Sequence, residues 1–468
     1  MVKVIPAITY GDLDAWRKKH TKKTNETYLQ LFFDVINKSQ INYILLAINQ
    51  QQFSKVLSVK ETGITIRYQF NIPKTIGVFF DHGIFVSRNS WIQYTGTEKN
   101  YKNVSDIYLS NEADVGLALD YPVNMLDDIL RDKVRIDVLK EFFANNGENS
   151  ESNLLKIINK LESRNYIPPF LDYLTKELHI KIQNYEIGFF INKSGKLKNK
   201  NIVEFVSKEI SQYYKNKAKD LMISETINET KKMVQYFNEV EGFKITNLCP
   251  VIQGYDKKSI ERCINEYSKL TKKTPMGIFN YLSLGTAGKA TKTEKEAQEL
   301  LNHVEIALSK AKRLMPNVWF HVLGVSKYSI LKKFKEMGVD SVDSTRFLRM
   351  GIDLKRAKIV GPYLKEFKIS TSEAVNISKN CECSLCKNHG KKIVEVRLSK
   401  SKLHKNQKII NKSINFIEQE EVKLLEKKIR DAIVFKDLSR RGDVRLFHNL
   451  AMQNEELNNS KEIFGTNL

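Results

Sequence analysis

Apolar and polar positions divide this chain into short apolar runs separated by longer amphipathic stretches. Residues 41–48, 75–80 and 115–119 are apolar, rich in β-branched and aromatic side chains and bounded by polar residues. That is the pattern of strands buried on both faces. The second and third run straight into aspartates, Asp81 and Asp120. A strand-like N-terminus and a helix over 26–36 precede them. Later the pattern becomes a repeat. Residues 244–252 lead into Gln253-Gly254-Tyr255-Asp256 and a helix over 257–270. Residues 276–284 lead into Gly285-Thr286-Ala287-Gly288 and a helix over 294–314. Residues 318–323 lead into Gly324-Val325-Ser326 and a helix over 328–337, and 338–344 supply the next strand end with Asp343. Successive strand–helix units with short loops predict a parallel α/β fold, a TIM (β/α)8 barrel before a doubly wound sheet. No GxGxxG or GxxxxGK[ST] follows any strand, which weakens a dinucleotide or P-loop reading.

Between the two halves the pattern changes. Residues 145–153 form a polar linker, followed by helices over 154–163 and 168–179, a strand over 185–191, a turn at 192–195 and a charged helical region over 203–241. The expected organisation is a first barrel half at 1–132, a largely helical insertion at 133–245 and a second barrel half at 246–360. Residues 361–468 complete the chain as a zinc-binding subdomain with C-terminal helices.

The zinc expectation comes from the cysteines. The chain has five, and Cys381, Cys383 and Cys386 fall within one short loop. Thiolates so close together suit tetrahedral Zn²⁺. His389, His404 and His448 could supply a fourth ligand. His389 follows too closely, His404 sits among lysines, and His448 lies on an amphipathic stretch, so His448 is preferred. Four protein ligands leave no open position, so such a zinc is structural. Few cysteines and no signal-peptide pattern suggest a reducing cytoplasm, and no apolar run reaches the roughly 18 residues a membrane span needs.

Charge narrows the partners. Lysine plus arginine is 76 against 54 acidic residues, a net +22, which favours a polyanion such as nucleic acid. The lysine-rich segment 400–412 reads as a solvated loop that could touch phosphates.

Parallel strands present their C-terminal ends to one rim, where barrels carry their active sites. Asp81, Asp120, Gln253, Gly254, Gly285, Gly324 and Asp343 would share that rim. One carboxylate can attack an anomeric carbon while a second moves a proton, as in retaining glycosidases. A third carboxylate with an amide can read the edge of a purine. Glycines would admit a flat ligand close to the backbone.

These motifs, in this order, resemble the tRNA-guanine transglycosylase superfamily, which exchanges guanine for a 7-deazaguanine in an intact nucleic acid. The CxCxxC followed far downstream by an HN pair matches Cys381, Cys383, Cys386 and His448-Asn449. The family's DSGGFQ resembles Asp81-His82-Gly83-Ile84-Phe85, its VQGG resembles Ile252-Gln253-Gly254-Tyr255, and its GGLAVGE resembles Leu284-Gly285-Thr286-Ala287-Gly288. Its MGVG resembles Leu323-Gly324-Val325, and its GVDMFDC resembles the stretch from Gly338 to Ser344. The resemblance implies a TIM barrel with a zinc subdomain, Asp343 as nucleophile, Asp81 as acid/base, and Asp120 with Gln253, Gly254, Gly285 and Gly324 binding the base. His82, Ile84 and Tyr255 depart from the family pattern, and the stretched spacings look more like the branch that modifies DNA. The expected reaction is therefore exchange of guanine in DNA for a 7-deazaguanine such as 7-cyano-7-deazaguanine (preQ0). A tRNA substrate and a non-catalytic nucleic-acid-binding subunit are the alternatives, and retention of Asp81 and Asp343 argues against the second. A plain glycosidase would leave the cysteine loop and the charge unexplained. A partner protein or homodimer, and any ATP-driven opening of the duplex, are left open by the sequence.

Overall fold

Each strand of the main sheet carries two sets of side chains, and both are buried. Ile5, Ala7, Leu45, Ala47, Phe79, Val115, Leu117, Cys249, Val251 and Leu323 form one cluster. The alternating residues, among them Val4, Ile44, Val78, Phe80, Ile252, Leu282, Phe320 and Val342, join a larger cluster with the helices. A sheet with an apolar interior and an apolar exterior has no solvent face and must curl on itself or be sandwiched. In the computed structural model it curls. The structure describes residues 2–18, 27–38, 40–48, 63–82, 100–146, 173, 182, 185–192, 197–275, 277, 279–285, 293–325, 327–344, 358–360, 366–368 and 449–450.

The strands are β1 (Lys3–Thr9), β2 (Tyr43–Ala47), β3 (Gly77–Asp81), β4 (Val115–Leu117), β5 (Asn247–Cys249), β6 (Val251–Ile252), β7 (Tyr281–Leu284), β8 (Trp319–Val322) and β9 (Ser341–Ser344). Their spatial order is β5-β4-β3-β2-β1-β9-β8-β7-β6, and the pairings along it are all parallel. The two edge strands, β5 and β6, are halves of one run broken at Pro250. The expected single strand over 244–252 is thus divided, because proline brings no N–H to a ladder. The sheet nearly closes there. The Pro250 carbonyl accepts the Ser283 N–H at 3.0 Å and its hydroxyl at 3.3 Å, and the Asn280 side chain reaches Asn247 at 2.9 Å. The result is an α/β architecture with a barrel-shaped parallel sheet of nine strands.

Helices pack outside the sheet, and local chemistry starts several of them. Thr9, Asp256 and Thr293 cap the helices Tyr10–Arg17, Lys257–Thr271 and Glu294–Leu314, each in a reciprocal capping box. The N-terminal rim is fastened by two aspartates that precede strands. Asp114 accepts the Val78 N–H at 2.6 Å and pairs with Arg67 at 2.7 Å. Asp340 accepts the Phe320 N–H at 2.7 Å and pairs with Lys312 at 3.0 Å. Each carboxylate ties a strand to its neighbour and is neutralised by a cation.

One further expectation changes. Residues 185–191 are not a strand: Ile187–Phe190 is a short helix. Tyr185, Phe189, Phe190 and Phe205 meet there with ring centroids 5.1–5.8 Å apart. Aromatic enrichment marks a packing surface as readily as a strand. The charged region 203–241 is helical as expected, in two helices, Asn199–Glu209 and Gln212–Glu239, separated at Ile210 and Ser211. Helices expected over 154–163 and 168–179 lie largely outside the described residues, as do Cys381, Cys383, Cys386 and His448. Among the described residues, no helix is long and apolar enough to cross a membrane.

Candidate active site

The C-terminal rim of the sheet differs from the opposite one. Asp81 closes β3, level with Ala47 on β2 and, through it, with Thr9 on β1. Asp343 lies in β9, level with Ile5 on β1. Phe79 and Ile5 face the barrel interior, so the alternation turns Asp81 inward with Phe79. Both aspartates belong to one end and one concave face, with only β1 and β2 between their strands.

Asp120 follows β4 and is buried. His82 Nε2 lies 2.9 Å from its Oδ1, and the Gln253 side-chain amide donates to its Oδ2. The Gln253 carbonyl oxygen accepts the Val123 N–H at 3.4 Å, which fixes which end of the amide faces the carboxylate. His82, Asp120 and Gln253, from three loops, therefore form one buried polar unit. Each carboxylate oxygen has a further lone pair and can accept from two N–H groups of a planar ligand.

Asp343 is held differently. Gly324, at the end of β8, has φ 75°, a left-handed conformation that glycine adopts without penalty. This turns its N–H onto Asp343 Oδ1 at 2.6 Å. His321 Nε2 is 3.4 Å from the same oxygen. The imidazole is fully buried, 5.6 Å from the Phe79 ring, and its Nδ1 is 2.8 Å from Ser341 Oγ. Where the opposite rim pairs its aspartates with Arg67 and Lys312, this rim sets Asp120 and Asp343 against imidazoles.

Gly254 and Gly285 have neighbours that demand a missing side chain. A Cβ on Gly254 would lie 2.5 Å from the Ile260 side chain and 2.9 Å from its backbone nitrogen. A Cβ on Gly285 would lie 2.1 Å from Gln253 Nε2. Tyr255 tops the same loop. Its hydroxyl reaches Asp220 at 3.3 Å, Lys219 lies over its ring at 5.0 Å, and burial pushes its phenol up to about 12. Beneath the rim, Tyr108 donates to the Leu117 carbonyl at 2.8 Å. Burial drives its phenol well above the ordinary value, with the charges of Asp81 and Asp120 adding to the effect. One ring thus feels both carboxylates.

Every rim residue expected from the sequence falls among the described residues: Asp81, Asp120, Gln253, Gly254, Gly285, Gly324 and Asp343. All sit at or just past C-terminal strand ends. His321 and Ser341 were not singled out by the sequence reading. The available signal was a polar residue at inward parity inside an apolar run, two residues before Leu323 in one case and before Asp343 in the other. His82 stood out only as a departure from a motif.

Chemically, the rim brings together two carboxyl groups, Asp81 and Asp343, and a carboxylate held in place at Asp120, the kinds of group that nucleophilic attack and proton transfer require. A scan against protein-family models matches none of them, and a comparison with curated proteins gives no match.

Proposed function

We propose that this chain is a base-exchanging guanine transglycosylase acting on nucleic acid, with DNA the favoured substrate and a 7-deazaguanine such as preQ0 the incoming base. The supporting observation is the grouping of Asp81, Asp343 and the Asp120–Gln253 pair on one rim of one parallel sheet. The wrapped sheet fits a TIM (β/α)8 frame, in which that rim carries chemistry. A net charge of +22 suits a polyanionic substrate.

In this reading the target guanosine leaves its stack and enters the rim, because C1′ is out of reach inside a duplex. Asp120 accepts from the two N–H groups on the guanine edge, with His82 and Gln253 keeping the carboxylate in plane. An Asp343 oxygen bonds to C1′ as the C1′–N9 bond breaks. The departing electron pair goes to the purine, which takes a proton from Asp81, directly or through water. The 7-deazaguanine then enters and gives its N9 proton to the Asp81 carboxylate. Its N9 bonds to C1′, and the electron pair of the ester bond returns to Asp343. One glycosidic bond replaces another and no oxidant or energy source is consumed.

Zinc has no part in these steps. Three thiolates and one imidazole are a suitable tetrahedral set, so Cys381, Cys383, Cys386 and His448 would hold it, and its contribution is to tie a loop to a helix. The adjoining Asn449 and Leu450 are buried and helical, which suits a ligand anchored against the body of the protein.

The test offers labelled guanine and preQ0 with duplex DNA and tRNA in parallel. Incorporation into DNA is expected. Incorporation into tRNA alone moves the substrate to RNA, and none into either overturns the reading.

A further inference from the structure

We propose that His321 is a positioning residue for Asp343: it donates from Nε2 to Oδ1 and thereby leaves Oδ2 as the oxygen that bonds to carbon. This rests on the reading of Asp343 as nucleophile.

The proton's location follows from a chain of hydrogen bonds across β8 and β9. His321 and Ser341 are directly paired in the ladder, and Trp319 and Asp343 lie two residues from them on the same inward face. The Trp319 indole N–H can only donate, and it donates to Ser341 Oγ at 2.7 Å. Ser341 Oγ also lies 2.8 Å from His321 Nδ1. Were Nδ1 protonated, Oγ would accept twice and its own proton would need another acceptor. The hydrogen bonds of Ser341 go to these two groups, so the hydroxyl donates to Nδ1. An imidazole that accepts at Nδ1 carries its proton on Nε2.

The other end of the ring agrees. Nε2 is buried and, among the described residues, has no partner with hydrogen-bond geometry, while Asp343 Oδ1 stands 3.4 Å away. A bare nitrogen lone pair against a carboxylate oxygen would repel, whereas N–H attracts. A buried donor left just short of an acceptor is a group placed for a partner that moves slightly. Catalytic hydrogen bonds that are long in a free protein tighten when substrate binds. The two groups described at the Asp343 carboxylate, the Gly324 N–H and His321, converge on Oδ1. Among the described residues no donor is directed at Oδ2, which is left for C1′.

The test uses the full-length protein. Ring nitrogen NMR of His321 in the wild type should show the Nε2–H tautomer, and Ser341→Ala should abolish that preference; an Nδ1–H ring overturns the proposal whether or not the protein is active. Exchange of labelled guanine should fall about a hundredfold in kcat for His321→Leu with KM changed no more than about twofold. His321→Gln, which keeps a donor near the Nε2 position, should recover most of the loss. Full kcat in His321→Leu, or equal loss in both variants, overturns the proposal. If His321→Leu does not fold, a dead His321→Gln that melts like the wild type overturns it, and an active one upholds it. A wild type that exchanges no base into DNA or tRNA fails at the earlier step, on the reading of Asp343 itself.

Discussion

Gly285 has no side chain because the amide of Gln253 lies where one would be. A Cβ there would stand 2.1 Å from Gln253 Nε2, the atom that donates to Asp120. The glycine therefore makes room for a protein group, one that is itself bonded to Asp120.

Gly285→Ala should force the Gln253 amide off the Asp120 carboxylate. Overpacking of this kind costs about 1–3 kcal/mol of stability, readable by urea denaturation. In exchange assays KM for the incoming base should rise more than kcat falls. An unchanged KM with unchanged stability would mean the amide is not fixed by this contact.

Asp343→Asn should bind nucleic acid with wild-type affinity and incorporate no labelled base. It should also fail to form the covalent protein–nucleotide adduct that the wild type accumulates when the incoming base is withheld. Labelled base in the product of this variant would remove Asp343 from the mechanism.

His82 and Asp120 should be coupled in a double-mutant cycle. The pair is buried and 2.9 Å apart, so His82→Ala leaves the carboxylate short of one donor, at a cost of about 1–3 kcal/mol. With Asp120→Asn already in place, the same histidine change should cost much less. Additive losses in base affinity and stability would show that the two side chains act separately.

The five cysteines should fall into two classes in thiol labelling. Cys249 and Cys263 are buried, and burial holds their thiols up at about 12 and about 11. Burial disfavours the charged form, so at pH 8 almost no reactive thiolate is present and both should stay unlabelled in the folded protein. Cys381, Cys383 and Cys386 should also be protected until a chelator strips zinc, whereupon three thiols react and one equivalent of metal is released. Three reactive thiols before chelation would sink the zinc assignment.

The sequence revealed the rim more readily than the contacts across it. Asp81 and Asp120 were legible because apolar strands end abruptly in them, and Gln253 and Gly324 because a strand–helix period brackets them. The role of His321 was not legible, since it depends on β8 and β9 pairing His321 with Ser341, a register that spacing along the chain does not carry. Pro250 was visible as a residue, but its place as the seam of the sheet appears only once β5 and β6 are seen at opposite ends of the strand order. Tyr185 and Phe190 misled because aromatic side chains packed around a short helix read like a strand.

The helix Gln212–Glu239 has 28 residues, about 42 Å of length, whereas β3 has five, roughly 17 Å. Its Thr226 hydroxyl accepts the N–H of Tyr121, just past the end of β4, so the turns before Thr226 overshoot the strands. Tyr213, in the first of those turns, is exposed. Under the proposed function, a target residue would have to leave its duplex to meet carboxylates at the strand ends, beside a helix that runs on past them.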